Sequence, residues 1–105
     1  MMKVLLDGRK MESRELTHEY LRKKMSFPIY YGGNLDALYD LLAGDDRLLN
    51  IVFVNIGSLD NNLGDYGREL LCTFLQAMQA NGNIRIFLYR GLRKSRGKLF
   101  YKLDK

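Results

Sequence analysis

Three residue types that often carry structure or chemistry occur once each in this sequence of 105 residues, as Cys72, His18 and Pro28. A single cysteine excludes a disulfide framework, and one cysteine with one histidine cannot supply the ligands of most zinc sites. No apolar run approaches the ~20 residues of a membrane-spanning helix, and Asp7 comes too early for a signal peptide. We therefore expect a cytoplasmic protein without cofactor, bound metal or membrane partner.

Sets of residues typical of catalytic sites are also scarce. His18 and Glu19 could begin the His-Glu-x-x-His pattern of a metalloprotease helix, but position 22 is arginine. Cys72 lies among the apolar residues of a predicted helix, where we expect a buried structural thiol, because no second histidine could activate it as a nucleophile. Neither a P-loop nor a dinucleotide-binding motif is present. The sequence therefore predicts that the protein is not an enzyme.

The strongest strand signals come from three short apolar segments, 4–6, 48–56 and 84–89. The middle segment is almost continuously apolar, as in a strand buried on both faces. Helical segments separate the three, so we expect crossover connections and a parallel sheet. The predicted fold is α/β, a three-stranded parallel sheet with packed helices.

Caps and apolar spacing identify the helical segments. Ser13 and Asn34 are good N-cap residues, and the helix that follows Ser13 must end before Pro28. The other two helices are expected over 34–43 and 65–80. The faces expected to be buried are Leu16, Tyr20 and Leu21 in the first helix, Leu35, Leu38 and Leu42 in the second, and Leu71, Phe74, Leu75 and Met78 in the third.

Charge is unevenly distributed along the chain, whose formal net charge is +5. Residues 25–67 carry one basic and six acidic side chains, whereas residues 90–105 carry seven basic and one acidic. The segment 98–103 could form an additional antiparallel strand that folds back on 84–89. We therefore divide the chain into a domain over 1–89 and a basic C-terminal extension over 90–105, which is either part of the same domain or a tail.

The acidic middle of the chain contains the most unusual pattern. Asp36 and Asp40 are four residues apart and so share one face of the predicted second helix, beside Tyr39. Tyr30 and Tyr31 precede that helix across two glycines. A solvated helix face is one interpretation, and a paired-carboxylate hydrolase site is disfavoured because an exposed helix offers no apolar cleft to raise a carboxyl pKa. The third interpretation is recognition of a basic partner, since tyrosines provide contact area and carboxylates provide steering.

This region resembles the barstar family of intracellular ribonuclease inhibitors. The family signature is a proline followed by Tyr-Tyr-Gly-x-Asn-Leu-Asp-Ala-Leu-Trp-Asp, and here Pro28 is followed, after Ile29, by Tyr-Tyr-Gly-Gly-Asn-Leu-Asp-Ala-Leu-Tyr-Asp over 30–40. The order and spacing of the remaining elements also agree up to about Tyr89. The family fold is a three-stranded parallel sheet with packed helices, as the hydrophobic pattern predicts independently.

The resemblance implies a function and a mechanism. Members bind a small, basic, secreted guanyl-specific ribonuclease (barnase-like) one to one and block its active site. A carboxylate at the position of Asp40 would replace the substrate phosphate among the cationic residues of the enzyme, and Asp36 would add a second anionic contact. The residues implied to contact the enzyme are Tyr30, Gly32, Asn34, Leu35, Asp36, Tyr39, Asp40 and Gly44.

The sequence departs from the family at three positions of this surface. Tyr39 stands where the family has a tryptophan, and Asp45 follows Gly44 where the archetype has another aromatic. A glutamate that reaches the enzyme from the third predicted helix aligns with Ala77. Two interpretations of these departures stay open: a cognate ribonuclease that differs from the one bound by the family archetype, or a relative that has drifted to another partner.

The basic extension supports an alternative function, an RNA- or ribosome-binding module. Phe100 and Tyr101 could stack on bases beside the cationic side chains. A solubilising or edge-protecting tail is the simpler interpretation. The cationic residues that could contact nucleic acid are Arg90, Arg93, Lys94, Arg96 and Lys98, with Lys102 nearby.

Overall fold

Four strands form one sheet in the order β1-β2-β3-β4 in the computed structural model, which describes residues 2–95 and 98–103, with side chains through residue 90. The strands are β1 (Met2–Asp7), β2 (Leu49–Val54), β3 (Ile84–Ser95) and β4 (Lys98–Leu103). β2 pairs in parallel with both β1 and β3, and β4 pairs antiparallel with β3. The predicted α/β class, with three parallel strands and an additional antiparallel strand, is confirmed.

The described helices occupy the connections between the parallel strands. They are α1 (Arg14–Lys24), α2 (Leu35–Ala43), α3 (Gly57–Leu63) and α4 (Asp65–Ala80), and a 3-10 turn, Gly8–Lys10, follows β1. Both crossovers move in the same direction across the sheet, so right-handed connections place their helices on one face. Side chains on the other face are less covered: Leu5 and Phe87, which flank Val52 in register, are 37% and 39% exposed.

The core lies between the sheet and the helices. Phe53 of β2 and Phe74 of α4 are fully buried and meet edge to face, with ring centroids 5.5 Å apart. Leu38 and Leu42 bury the inner side of α2 in the same cluster. α2 is thereby fixed against the core through one side only, which leaves its other side free for contacts.

α3 is an element that the hydrophobic pattern does not predict. It has seven residues, begins at a glycine and has no side-chain cap hydrogen bond, so it lacks the usual sequence signals of a helix. Tertiary packing defines it instead, because Leu59 is buried against Gly67 of α4. A Cβ atom at Gly67 would lie 2.9 Å from the Leu59 Cβ, so only glycine permits this approach.

The buried faces of two helices differ from those predicted. In α1, Leu16 is 53% exposed, and the buried residues are Thr17, His18 and Leu21. In α4, Cys72 is exposed rather than a buried structural thiol. The buried stripe of α4 is rotated by about one residue from the expected one and consists of Gly67, Leu70, Thr73, Phe74 and Ala77.

β3 continues beyond the parallel sheet to Ser95, and β4 pairs with that continuation. The prediction that 98–103 folds back on 84–89 is therefore wrong in its pairing segment, because Tyr89 is the one residue of 84–89 that pairs with β4. The pairing register shifts between Tyr89 and Gly91, which marks the point where the hairpin begins. The division of the chain into 1–89 and 90–105 stays a prediction, and β3 crosses that boundary without interruption.

Candidate partner-binding site

Residues at the two ends of α2 define where the helix begins and ends. The Asn34 side chain accepts a hydrogen bond from the Ala37 amide at 2.8 Å, which caps the first turn. Asp36 lies in that first turn, where the helix dipole favours a negative charge. At the other end Gly44 donates its amide to the Asp40 carbonyl at 3.1 Å, and the helix ends there.

The outer side of α2 carries the acidic pair predicted from the sequence. Asp36 and Asp40 are both exposed, and within the residues described with side chains neither takes part in a salt bridge. They line an open cleft between α2 and α4. The other side chains that line this cleft are Leu35, Tyr39, Thr73 and Gln76.

The loop before α2 presents a second group of predicted contacts. Ile29 and Tyr30 are 91% and 81% exposed, although both are large. Tyr31 beside them is half-buried, and its ring packs on Phe27 with centroids 5.0 Å apart. Gly33 has φ +68°, a left-handed conformation that favours glycine. The loop therefore turns at Gly33 directly into the cap of α2.

A histidine buried beneath this loop ties it to the two neighbouring helices. His18 of α1 is 4% exposed. Its Nδ1 lies 2.5 Å from the hydroxyl oxygen of Tyr31, and its Nε2 lies 2.6 Å from that of Tyr66 in α4. Burial lowers the pKa of His18 and raises the pKa of Tyr31. A neutral imidazole suits both contacts, because it offers one donor and one acceptor and each tyrosine hydroxyl can act as either.

The eight predicted contact residues are brought together along α2 and the loop that leads into it. Tyr30, Gly32 and Asn34 are exposed before the helix, Leu35, Asp36, Tyr39 and Asp40 follow on α2 itself, and Gly44 is exposed at its end. Leu35 and Tyr39 are half-buried, so each offers only part of its surface to a partner. Residues that are neighbours in the sequence motif thus also lie close together in the structure.

Two of the positions at which the sequence departs from the family add little to this surface. Ala77 is fully buried, so it cannot contact a partner, and its neighbour Gln76 lines the cleft with Asp36 and Asp40 instead. The Asp45 carboxylate is 2.6 Å from the guanidinium of Arg47, whose hydrogen bonds lower the pKa of Asp45. Asp45 is therefore neutralised within the chain and adds little to the free negative charge of the surface.

A second cleft lies at the N-terminal end of α2 and is not predicted by any sequence motif. Arg14 and Tyr66 line it together with Asn34, Leu35 and Asp36. The guanidinium carbon of Arg14 lies 4.3 Å from the centroid of the Tyr66 ring, a cation–π contact. Sequence reasoning missed both residues because they come from different helices and belong to no local motif.

The basic residues predicted to contact nucleic acid lie on a different part of the chain. Arg90, Arg93 and Lys94 belong to β3, and Lys98 belongs to β4. Arg90 is exposed, and Arg96 lies outside the described residues. The hairpin thus places four of the five cationic residues on two paired strands.

Two other kinds of site are absent from the described part of the chain. Among these residues, no group of three or more His, Cys, Asp or Glu side chains is arranged to hold a metal ion. None of the helices described is both long enough and apolar enough to cross a membrane.

Comparisons with known proteins agree with the motif and the fold. The family model described as Barstar (barnase inhibitor) matches residues 1–90. A Bacillus subtilis protein named "Putative ribonuclease inhibitor YrdF" is 40% identical over 80 residues, which cover 75% of this chain and 88% of that relative. The chain therefore belongs to the barstar family.

Proposed function

We propose that this protein inhibits a small, basic, secreted guanyl-specific ribonuclease by placing the acidic side of α2 in the active site of the enzyme. A ribonuclease-inhibitor role follows from the family and from the name of the Bacillus subtilis relative. The class of ribonuclease, the one-to-one stoichiometry, action inside the cell and the residues in contact are the parts that we add.

The observation that carries the proposal is the pair of exposed carboxylates without an internal partner. Asp36 and Asp40 form no salt bridge among the residues described with side chains. An active site that binds the phosphates of RNA is cationic, so two free carboxylates on a rigid helix can compete with RNA for it. Charge-assisted hydrogen bonds to arginine, lysine and histidine would then hold the complex.

The proposed contact residues have different roles. Asp40 takes the place of the substrate phosphate, and Asp36 binds a second cationic group. Tyr30 and Tyr39 supply aromatic contact area with few rotatable bonds. Gly32 and Gly44 allow close approach of the enzyme at the two ends of α2, and Asn34 and Leu35 complete the surface between them.

The direct test compares Asp40→Ala with a matched change far from the site. Lys3 is exposed on β1 and alternates with buried Val4, so it lies on the sheet face opposite the helices. We expect wild type and Lys3→Ala to inhibit barnase, or a related secreted ribonuclease, equally. Asp40→Ala should weaken inhibition by about thirtyfold or more, since hot-spot changes of ~2 kcal/mol or more are typical of such central charges. Equal inhibition by Asp40→Ala and wild type would disprove the proposed site.

A second candidate function is RNA or ribosome binding by the hairpin of β3 and β4. The specific observation in its favour is that β3 continues to Ser95 and pairs with β4, which concentrates the basic residues of 90–103 on two adjacent strands. Replacing Arg93, Lys94, Lys98 and Lys102 by glutamine should abolish such binding. Binding to single-stranded RNA that falls steeply with salt in wild type only would support this function, and no binding at low salt would exclude it.

A further inference from the structure

The cleft that contains Arg14 and Tyr66 adjoins the acidic side of α2. We propose that these two residues extend the partner-binding surface and select ribonucleases that carry an acidic side chain beside the active site. This inference rests on the proposed function, because it adds a cationic side chain, Arg14, to the same surface, in a cleft that Glu15 and Asp36 also line. It also gives a role to Arg14 and Tyr66, which lie outside the family motif over 28–40.

The two clefts are adjacent. Leu35 and Asp36 line both of them, so they form the ridge between the cleft of Asp40 and the cleft of Arg14. A partner that covers the acidic side of α2 and the adjoining loop therefore comes within reach of Arg14. Glu15, the neighbour of Arg14 in α1, also lines the second cleft and is exposed.

The geometry holds Arg14 in place without neutralising it. Its guanidinium lies over the face of the Tyr66 ring, and the hydroxyl of that ring is fixed at 2.6 Å from Nε2 of buried His18. Within the part of the chain described with side chains, no carboxylate is within salt-bridge distance of Arg14. A cation stacked on an aromatic ring retains its charge and its outward hydrogen-bond donors.

This arrangement fits a carboxylate on the partner. A planar guanidinium has five donors and binds a carboxylate through two parallel hydrogen bonds. Against a basic enzyme, the positive charge of Arg14 would repel unless the enzyme offered an acidic side chain there. Repulsion of unsuitable partners is a common source of specificity. Arg14 would thus discriminate among ribonucleases that Asp36 and Asp40 alone would accept.

The test reverses the charge at Arg14 and measures the effect on association and dissociation. If Arg14 made no contact, Arg14→Glu would make the chain more acidic and would speed its association with a basic enzyme. If Arg14 binds a carboxylate, the same change places two like charges together and accelerates dissociation. The matched control is Lys3→Glu, which alters the net charge equally on the opposite face of the sheet.

Binding rates would be measured for barnase and for several other secreted guanyl-specific ribonucleases with wild type, Arg14→Glu, Arg14→Lys, Lys3→Glu and Asp40→Ala. For the enzyme that wild type binds most tightly, we expect Arg14→Glu to raise the dissociation rate at least tenfold. Arg14→Lys should have a smaller effect, because it keeps the charge and loses the planar pair of donors. Lys3→Glu should leave dissociation unchanged and slightly increase the association rate.

The outcomes separate this inference from the proposed function. If Asp40→Ala weakens binding while Arg14→Glu binds as tightly as wild type or more tightly, the inference is overturned and the inhibitory function stands. If wild type inhibits none of the ribonucleases, both fail together. Thermal unfolding of Arg14→Glu is the check on folding, and a midpoint equal to that of wild type assigns the change in dissociation to the lost contact.

Discussion

At the scale of single residues, His18 connects three parts of the chain that lie far apart in sequence. It comes from α1, and its two ring nitrogens contact Tyr31 in the loop before α2 and Tyr66 in α4. The sequence alone does not indicate this role for His18, since its partners are 13 and 48 positions away. Such a bridge has no local signature, so only the tertiary structure identifies it.

The burial of His18 predicts that stability depends on pH. Its pKa in the folded state is lowered from 6.5, so the unfolded chain binds the proton more readily. The contribution of neutral His18 is therefore complete above about pH 6.5 and is lost as the pH falls below that value toward the folded-state pKa. The free energy of unfolding, measured by urea denaturation, should decrease from pH 7.5 to pH 5.

His18→Gln is the control for this pH dependence. Glutamine keeps a donor and an acceptor but does not titrate, so the decrease between pH 6.5 and pH 5 should largely disappear in the variant. Asp45, whose pKa the hydrogen bonds of Arg47 lower from 3.8, titrates below this window and does not interfere. The same decrease in both proteins would show that another group is responsible.

At the scale of elements, α2 shows which signals are readable from sequence. Asn34, the apolar spacing of Leu38 and Leu42, and Gly44 predict its bounds within a residue. α3 escaped prediction because Leu59 and Gly67 define it through packing between helices. Sequence patterns therefore predicted the sheet, three of the helices and the motif surface, whereas contacts between distant helices had to come from the structure.

The apolar residues of α4 are compatible with two different buried faces. Paired apolar residues, Leu70 with Leu71 and Phe74 with Leu75, allow two faces that differ by one position. The structure buries Leu70 and Phe74 with Thr73 and Ala77, where small side chains allow α2 and α4 to pack closely. A pattern based on hydrophobicity alone favours the other face, because it gives no weight to a buried threonine.

The cap of α2 gives a prediction at the same scale. Asn34→Ala removes the hydrogen bond to the Ala37 amide, and the loss should destabilise the protein by about 1 kcal/mol in urea unfolding. Asn34→Asp keeps an acceptor at the cap and should retain most of the stability. Equal destabilisation by both substitutions would mean that the amide group of Asn34, rather than its oxygen, is what α2 requires.

At the scale of the whole molecule, charge separates into regions of opposite sign. The acidic pair lies on α2, the adjoining cleft is lined by Arg14 with Glu15 and Asp36, and the basic residues of 90–105 follow Tyr89 in the sequence. The net charge of +5 alone would favour RNA as the partner. Its distribution instead favours a basic protein at the surface of α2.

This distribution predicts how salt affects association. The association rate with a basic ribonuclease should fall as salt rises, because exposed charges are screened beyond about 10 Å at 0.1 M. Asp36→Asn with Asp40→Asn should flatten this dependence and slow association at low salt, as measured by stopped-flow fluorescence. The matched control is Asp60→Asn with Asp65→Asn. These residues belong to α3 and to the first turn of α4, and their carboxylates lie near Arg68. An equal effect of both pairs would show that only net charge matters.

The bridge from His18 to Tyr31 and Tyr66 also bears on the entropy of binding. A flexible loop loses conformational freedom when a partner immobilises it, and that loss subtracts from affinity. Here the buried histidine holds Tyr31 while Ile29 and Tyr30 remain exposed. Much of the ordering cost is therefore incurred when the chain folds, so the proposed binding surface is pre-organised before a partner arrives.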